Sequence, residues 1–153
     1  LVIAANKWDL VDKGQAALKK LRDRLEISLP QARGVAFVTI SALQGRKLDD
    51  LIRAAFEARR VWASEVPTPR LNRWLAGATE AHPPPLVRGR RPRLRFARQI
   101  ATRPPTFAIF GTNLTGLAEE YLRYLAGGLR DAFGLKGVAI RFKLRQTKNP
   151  FVD

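Results

Sequence analysis

Leu1-Val-Ile-Ala-Ala5 and Val35-Ala-Phe-Val-Thr-Ile40 are two almost wholly apolar runs of strand length, each followed by polar residues. A strand with one wet face alternates apolar and polar residues, so such runs fit a parallel sheet covered on both faces. Between them Leu18, Leu21, Leu25 and Leu29 recur at helical spacing and predict a helix over about Gly14–Ser28, with Pro30 and Gly34 marking the return to a strand. A second helix, about Leu48–Trp62, places Leu48, Leu51, Ile52, Ala55 and Phe56 on one face. It opens on Asp49-Asp50, where negative charge suits the helix dipole. Strand, helix, strand, helix is the order of an α/β fold. The chain carries only two strands of such a sheet, holds no methionine and begins inside an apolar run, so it is expected to be a fragment. An incomplete parallel sheet exposes an apolar edge and face; residues 1–63 are expected to aggregate or be disordered alone, with independent stability for about 66–150.

Val66-Pro-Thr-Pro69 breaks the second helix and opens a new domain, with Thr68 expected as helix cap and Pro69 in the first turn. Leu71, Trp74, Leu75 and Ala78 form one face of that helix, which must stop before Pro83-Pro-Pro85. Arg93 to Ile100 alternates, with Leu94, Phe96 and Ile100 on one side and Arg93, Arg95 and Gln99 on the other. Thr106–Gly111 reads as a second strand, and Leu117–Phe133 as a helix with Leu122, Leu125, Leu129 and Phe133 inward. Val138–Arg145 reads as a third strand, in which Val138, Ile140, Phe142 and Leu144 oppose Ala139, Arg141, Lys143 and Arg145. The order α-β-β-α-β predicts a three-stranded sheet with helices on its apolar face and a basic opposite face. The expected domains are therefore 1–65 and 66–153.

The charge is uneven. Residues 1–66 hold 12 basic and 8 acidic side chains, residues 67–153 hold 16 and 5, and the whole chain carries +15. A chain this basic is drawn to polyanions, of which nucleic acid is the commonest, and the second half is the candidate surface. The absence of cysteine excludes disulfides and thiol chemistry, and a single histidine, His82, excludes a multi-histidine metal site. No segment is apolar for long enough to cross a bilayer, so no membrane partner and a cytoplasmic location are expected.

Asn6-Lys-Trp-Asp9 follows directly on the first apolar run, at the carboxyl end of a strand, where open parallel sheets place ligands. A carboxylate at Asp9 can accept from both the N1 hydrogen and the N2 amine of guanine; adenine presents an acceptor at N1 and no amine, which leaves the charge unpaired. Asn6 can bind the other edge of the base and tie neighbouring loops, while the methylenes of Lys7 can lie over the ring. Ser41-Ala-Leu43, after the second run, can present backbone N–H groups to the guanine carbonyl oxygen. The alternative is that Asn6 and Asp9 form a polar turn and Ser41 caps the next helix.

These residues resemble the fourth and fifth guanine-binding motifs of translation-factor-like GTPases. Pro67-Thr-Pro-Arg-Leu-Asn-Arg-Trp-Leu75, His82-Pro-Pro-Pro85, Thr102-Arg-Pro-Pro-Thr-Phe107, Tyr121-Leu-Arg-Tyr-Leu125 and Lys148-Asn-Pro150 extend the resemblance, over essentially the whole chain, to the Der (EngA) family. That resemblance implies two consecutive GTPase domains followed by a KH-like domain, acting in assembly of the large ribosomal subunit. It makes the first part here the end of a second GTPase domain, with GTP or GDP as ligand. Asn6, Lys7, Asp9, Ser41, Ala42 and Leu43 would be its guanine-binding residues, and ribosomal RNA and the upstream GTPase domains its partners. No G-x-x-x-x-G-K-[ST] phosphate loop occurs in the 153 residues, so hydrolysis by this chain is not expected, and Mg²⁺ belongs to the complete protein.

In the basic half, Gly134-Leu-Lys-Gly137 matches the Gly-x-x-Gly clamp of KH domains by letter but lies between a helix and a strand, which favours a helix stop. The RNA-contact candidates are instead Arg88, Arg90, Arg91, Arg93, Arg95 and Arg98 in one segment and Arg141, Lys143 and Arg145 on the last strand, as phosphate partners that set affinity rather than sequence preference. The alternatives for them are a solvated face or a docking surface for GTPase domains. Tyr121, Tyr124, His82 and Trp8 read as packing residues rather than base-stacking ones. A second function class stays open, a free-standing basic KH-like RNA-binding module with no nucleotide role.

Overall fold

The computed structural model describes residues 1–29 and 34–147; Pro30 and Lys148-Asn-Pro150, used above, lie outside the described residues. The chain divides into two compact units, Leu1–Trp62 with Lys136–Ala139, and Ala63–Leu135 with Ile140 onward.

In the first unit β1 (Val2–Ala5) leads through a 3-10 turn at Trp8–Leu10 to α1 (Gly14–Ser28), then β2 (Ala36–Thr39) and α2 (Leu48–Trp62). The two strands pair in parallel, Val2 beside Ala36 through to Ala5 beside Thr39, as apolar runs joined by a helix require. The expectation of strands buried on both faces fails. No residue of β1 or β2 is fully buried, because a two-stranded sheet offers too little neighbouring surface to cover either face. The apolar face assigned to α2 is also corrected. Leu51, Ala54, Ala58 and Val61 are its more sheltered positions, and α2 packs on β1 and β2, whereas Ile52, Ala55 and Phe56 are exposed. The helix therefore has a second apolar stripe with no cover among the described residues.

The second unit runs α3 (Thr68–Ala81), β3 (Arg93–Thr102), β4 (Pro105–Thr112), α4 (Glu119–Phe133) and β5 (Arg141–Gln146), the expected α-β-β-α-β order. Its sheet is ordered β3-β4-β5, antiparallel between β3 and β4 and parallel between β4 and β5. Phe107 and Ile109 of the central strand are at most 2% exposed, and Leu71 and Leu75 of α3, Leu125 and Leu129 of α4, Leu114 and Leu135 complete a closed core. Pro67 rather than Thr68 occupies the cap of α3, and β5 begins at Arg141, so Val138 stands in the turn before it. Gly134 ends α4 in the left-handed conformation at φ 66°, and the Leu135 N–H returns to the Arg130 carbonyl at 3.1 Å. The helix-stop reading of Gly134-Leu-Lys-Gly137 holds.

β3 departs from simple alternation. Its pairing with β4 skips one residue between Leu94 and Phe96 and another between Gln99 and Ala101. Each extra residue reverses the side-chain phase, so Ala97 is buried while Phe96 and Ile100, expected inward, are 41% and 39% exposed. On the free edge of β3 the Asn72 side chain replaces a neighbouring strand. It accepts from the Ala97 N–H and donates to the Ala97 carbonyl, both at 2.8 Å, which satisfies backbone groups that would otherwise invite edge pairing.

Candidate functional site

The ends of β1 and β2 are joined through Asn6. Its Oδ1 accepts from the Lys7 N–H at 2.8 Å and from the Ala42 N–H at 3.0 Å, bridging 36 residues of chain. Ile40 N–H donates to the Ala5 carbonyl at 2.9 Å and Trp8 N–H to the Ile40 carbonyl at 3.0 Å, so the parallel ladder continues past both strands into the loops. Lys7 holds φ 59°, ψ 35°, a left-handed conformation that costs a non-glycine residue roughly 1 kcal/mol or more and persists only where its surroundings over-determine it. Here those surroundings are the Asn6 and Trp8 hydrogen bonds.

The second loop is closed by reciprocal backbone bonds between Ser41 and Arg46, at 3.2 and 3.0 Å. Ser41 is 2% exposed and its Oγ accepts from the Gln44 N–H at 3.2 Å, so the hydroxyl holds the loop rather than facing a ligand. Ala42 and Leu43, with Leu43 at 90% exposure, are presented on the outside beside Asn6 and Lys7. Asp9 has its Oδ1 buried without a hydrogen-bond partner among the described residues. A buried carboxylate oxygen left unpaired costs roughly 1–3 kcal/mol or more. Asp9 and Ser41 also line a hollow of about 320 Å³ with Trp8, Thr39, Ile40, Arg46 and Lys47, whereas Asn6, Lys7, Ala42 and Leu43 lie outside its lining. The structure thus brings the six expected residues to one sheet end but divides them between an inner and an outer side. Thr39, Arg46 and Lys47 were not foreseen, since nothing in their spacing marks them.

The nine basic candidates are all exposed and fall into groups. Arg88, at φ 50°, and Gly89, at φ 75°, turn the chain back so that Val87 and Arg90 exchange backbone bonds, with Arg91 following. Arg95 occupies the first bulge of β3. The other five share the face of the sheet opposite Phe107 and Ile109. Arg93 pairs with Thr112, Arg98 and Lys143 flank Ala108, Arg145 lies beside Phe110, and Arg141 beside Thr106. Phe96 also pairs with Phe110, so an aromatic pair with centroids 5.9 Å apart sits among the cations; the first bulge hid this from a reading by alternation. Gln99 does not join the basic side as expected: its Oε1 accepts from the Val66 N–H at 2.7 Å and its Nε2 donates to the Ser64 carbonyl.

Tyr121 and Tyr124 fasten α4 to the end of α3. Tyr121 donates to the His82 carbonyl at 2.8 Å and Tyr124 to the Ala78 carbonyl at 3.1 Å, while His82 Nδ1 lies 3.1 Å from the Tyr124 hydroxyl. Burial, with Tyr124 as a lesser cause, pushes the Tyr121 phenol up to about 12. Packing is their role. Among the described residues no group of three His, Cys, Asp or Glu side chains could hold a metal ion, and no helix is long and apolar enough to cross a membrane.

Residues 65–145 match the family described as the KH-domain-like, C-terminal domain of EngA bacterial GTPase enzymes. The chain belongs to this family. The EngA match covers α3 through β5 and therefore the whole basic sheet. Beyond it, all 153 residues align at 46% identity with the GTPase Der of Parvibaculum lavamentivorans, covering 32% of that protein. The GTPase Der of Novosphingobium aromaticivorans is 47% identical over 151 residues, 99% of this chain and 33% of that protein. The Rhizobium meliloti GTPase Der is 48% identical over 150 residues, 98% of this chain and 32% of that protein. The chain spans about a third of the length of these relatives. The residues before the KH-like match, which carry Asn6, Asp9 and Ser41, thus align with proteins named GTPases as well.

Proposed function

We propose that this chain supplies the guanine-reading side of a GTPase nucleotide site together with an RNA-facing KH-like domain, within a cytoplasmic protein that assembles the large ribosomal subunit. The observation that carries the first part is that Asn6 ties the two loops at the sheet end while Asp9 lines the hollow beside them. Guanine brings two donors on one edge, N1–H and the N2 amine, and a carboxylate held by a rigid turn accepts both. Adenine brings none to that position. The Ala42 N–H is engaged by Asn6, which leaves the exposed Leu43 to offer a backbone N–H to the guanine carbonyl, and the exposed Lys7 stem can cover the ring. Phosphate binding, Mg²⁺ and hydrolysis fall to other segments of such GTPases, so the ligand of this part is the base of GTP or GDP. The second part is supported by the five cations on one sheet face and by the absence of any acidic residue from β3, β4 and β5. Ribosomal RNA is the polyanion that the family resemblance implies.

The test joins this chain to the part of the Parvibaculum relative's second GTPase domain that precedes it, without the first GTPase domain, and compares GDP with ADP by calorimetry. Preference for GDP is expected, and Asp9→Asn should lower it by about 10- to 150-fold, the equivalent of one lost charged hydrogen bond of about 1.5–3 kcal/mol. A preference that survives the substitution unchanged contradicts the reading. A free-standing RNA module is the second reading, favoured by the closed core of the second unit alone. It predicts full RNA affinity in the chimaera whatever residue stands at position 9 and no GDP preference in either form.

A further inference from the structure

The open face of the basic sheet is arranged in rows. Phe96, Phe110 and Arg145 lie side by side across β3, β4 and β5; the next row holds Arg98, Ala108 and Lys143; Thr106 and Arg141 follow, and Arg93 with Thr112 closes the other end. Phe96, on the edge strand between Arg93 and Arg98, is 41% exposed, its ring tilted 49° to that of Phe110, and the Arg98 guanidinium lies 5.7 Å over the Phe110 centroid. None of Arg93, Arg98, Arg141, Lys143 or Arg145 is in an ion pair among the described residues, and the strands supply no acid to neutralise them.

Cations alone would suit any polyanion, duplex or single-stranded. The rings narrow the choice. Bases inside a duplex are already stacked and cannot meet an aromatic face lying on a sheet, whereas unpaired bases have free π-faces, and aromatic side chains on an open sheet surrounded by basic residues suit them. An acidic protein surface would satisfy the arginines but gives Phe96 no flat partner. We propose that this face is a base-stacking platform for single-stranded RNA. Phe96 takes a base, backed by the half-buried Phe110 with Arg98 layered on it; Arg93, Arg141, Lys143 and Arg145 hold the phosphates on either side. The proposal rests on the RNA reading of the basic unit and deepens it. It also replaces the glycine clamp of KH domains as the contact, since Gly134 serves here to end α4.

The test uses the full chain and fluorescence anisotropy with a labelled 12-nucleotide single-stranded RNA and a 12-base-pair RNA duplex, lengths of roughly the span these modules cover. Tighter binding of the single strand is expected. Phe96→Leu should weaken it by about tenfold or more while leaving duplex binding unchanged, and Phe96→Trp, which keeps a π-face, should restore it. Because Phe96 is exposed, both variants are expected to fold, and circular dichroism checks this. Arg141→Ala with Lys143→Ala should weaken both RNAs and lower the salt slope for the single strand by about 1.4. Equal affinity for both RNAs, or a Phe96→Leu variant indistinguishable from the parent, overturns the stacking platform while leaving the RNA reading intact. No binding of either RNA, with the face protected instead by the upstream domains of a Der relative, overturns both in favour of protein docking.

Discussion

In α2 the residues turned toward β1 and β2 are small, Ala54 and Ala58 between Leu51 and Val61, while Ile52 and Phe56 point outward at 55% and 66% exposure. In α4, a helix of the same length, Leu125 and Leu129 are at most 1% exposed and no large apolar side chain is left outside. The same contrast holds between the sheets, since β1 and β2 have no fully buried residue whereas five consecutive residues of β4, Pro105–Ile109, are buried. Each unit spends its apolar residues differently. The second encloses its own core and carries five basic side chains on one exposed sheet face. The first keeps apolar surface exposed on α2 and leaves one buried Asp9 oxygen without a partner among the described residues.

Core truncation should expose this contrast most strongly. Phe107→Ala is expected to destabilise the second unit by about 3–5 kcal/mol, whereas Phe56→Ala, the same chemical change at an exposed site, should change the stability of this chain by no more than about 0.5 kcal/mol. Denaturant titration followed by circular dichroism reads both, and equal losses would erase the distinction. In the same assay Gly111→Ala should also be severe, because its Cβ would overlap the carbonyl of Arg93 on the paired strand. A smaller loss, about 1–3 kcal/mol, is expected from Asn72→Ala, which strands the Ala97 N–H and carbonyl on the edge of β3. The counterpart in the first unit, Asn6→Ala, frees the Ala42 N–H in an exposed loop where water replaces the bond, so about 0.5–1.5 kcal/mol at most is expected. Its larger consequence should be weaker GDP binding by the chimaera.

An effect confined to high pH, and absent at neutral pH, comes last. The Tyr121 phenol is raised to about 12 in the folded protein, above the ordinary value of 10.0, so folding holds the proton more tightly. That contribution is complete below pH 10 and is lost as the pH rises toward 12. Tyr121→Phe should flatten this part of the stability profile, and an unchanged slope would remove Tyr121 as its source.

Much of this organisation was legible in the sequence because periodicity and punctuation agreed. Leucine spacing and proline breaks marked α1 to α4, and the Asn6 and Asp9 positions stood out because their side chains match the donors and acceptors that guanine offers. The misreadings have local causes. Bulges at Arg95 and Ile100 leave no mark in the alternation of apolar and basic residues, so alternation alone places Phe96 inward and hides the aromatic pair on the basic face. The two apolar stripes of α2 are indistinguishable by spacing alone, and only packing on β1 and β2 shows which one is covered. The structural duty of Ser41, to hold its own loop through Gln44, could not be separated in sequence from contact with a ligand.

Amide hydrogen exchange on this chain tests the contrast between the units most directly. Slow exchange is expected through β4 and α4, at the rate of global unfolding, and much faster exchange in β1 and β2. Protection in β1 and β2 equal to that of β4 would show a first unit stable by itself and would contradict the account.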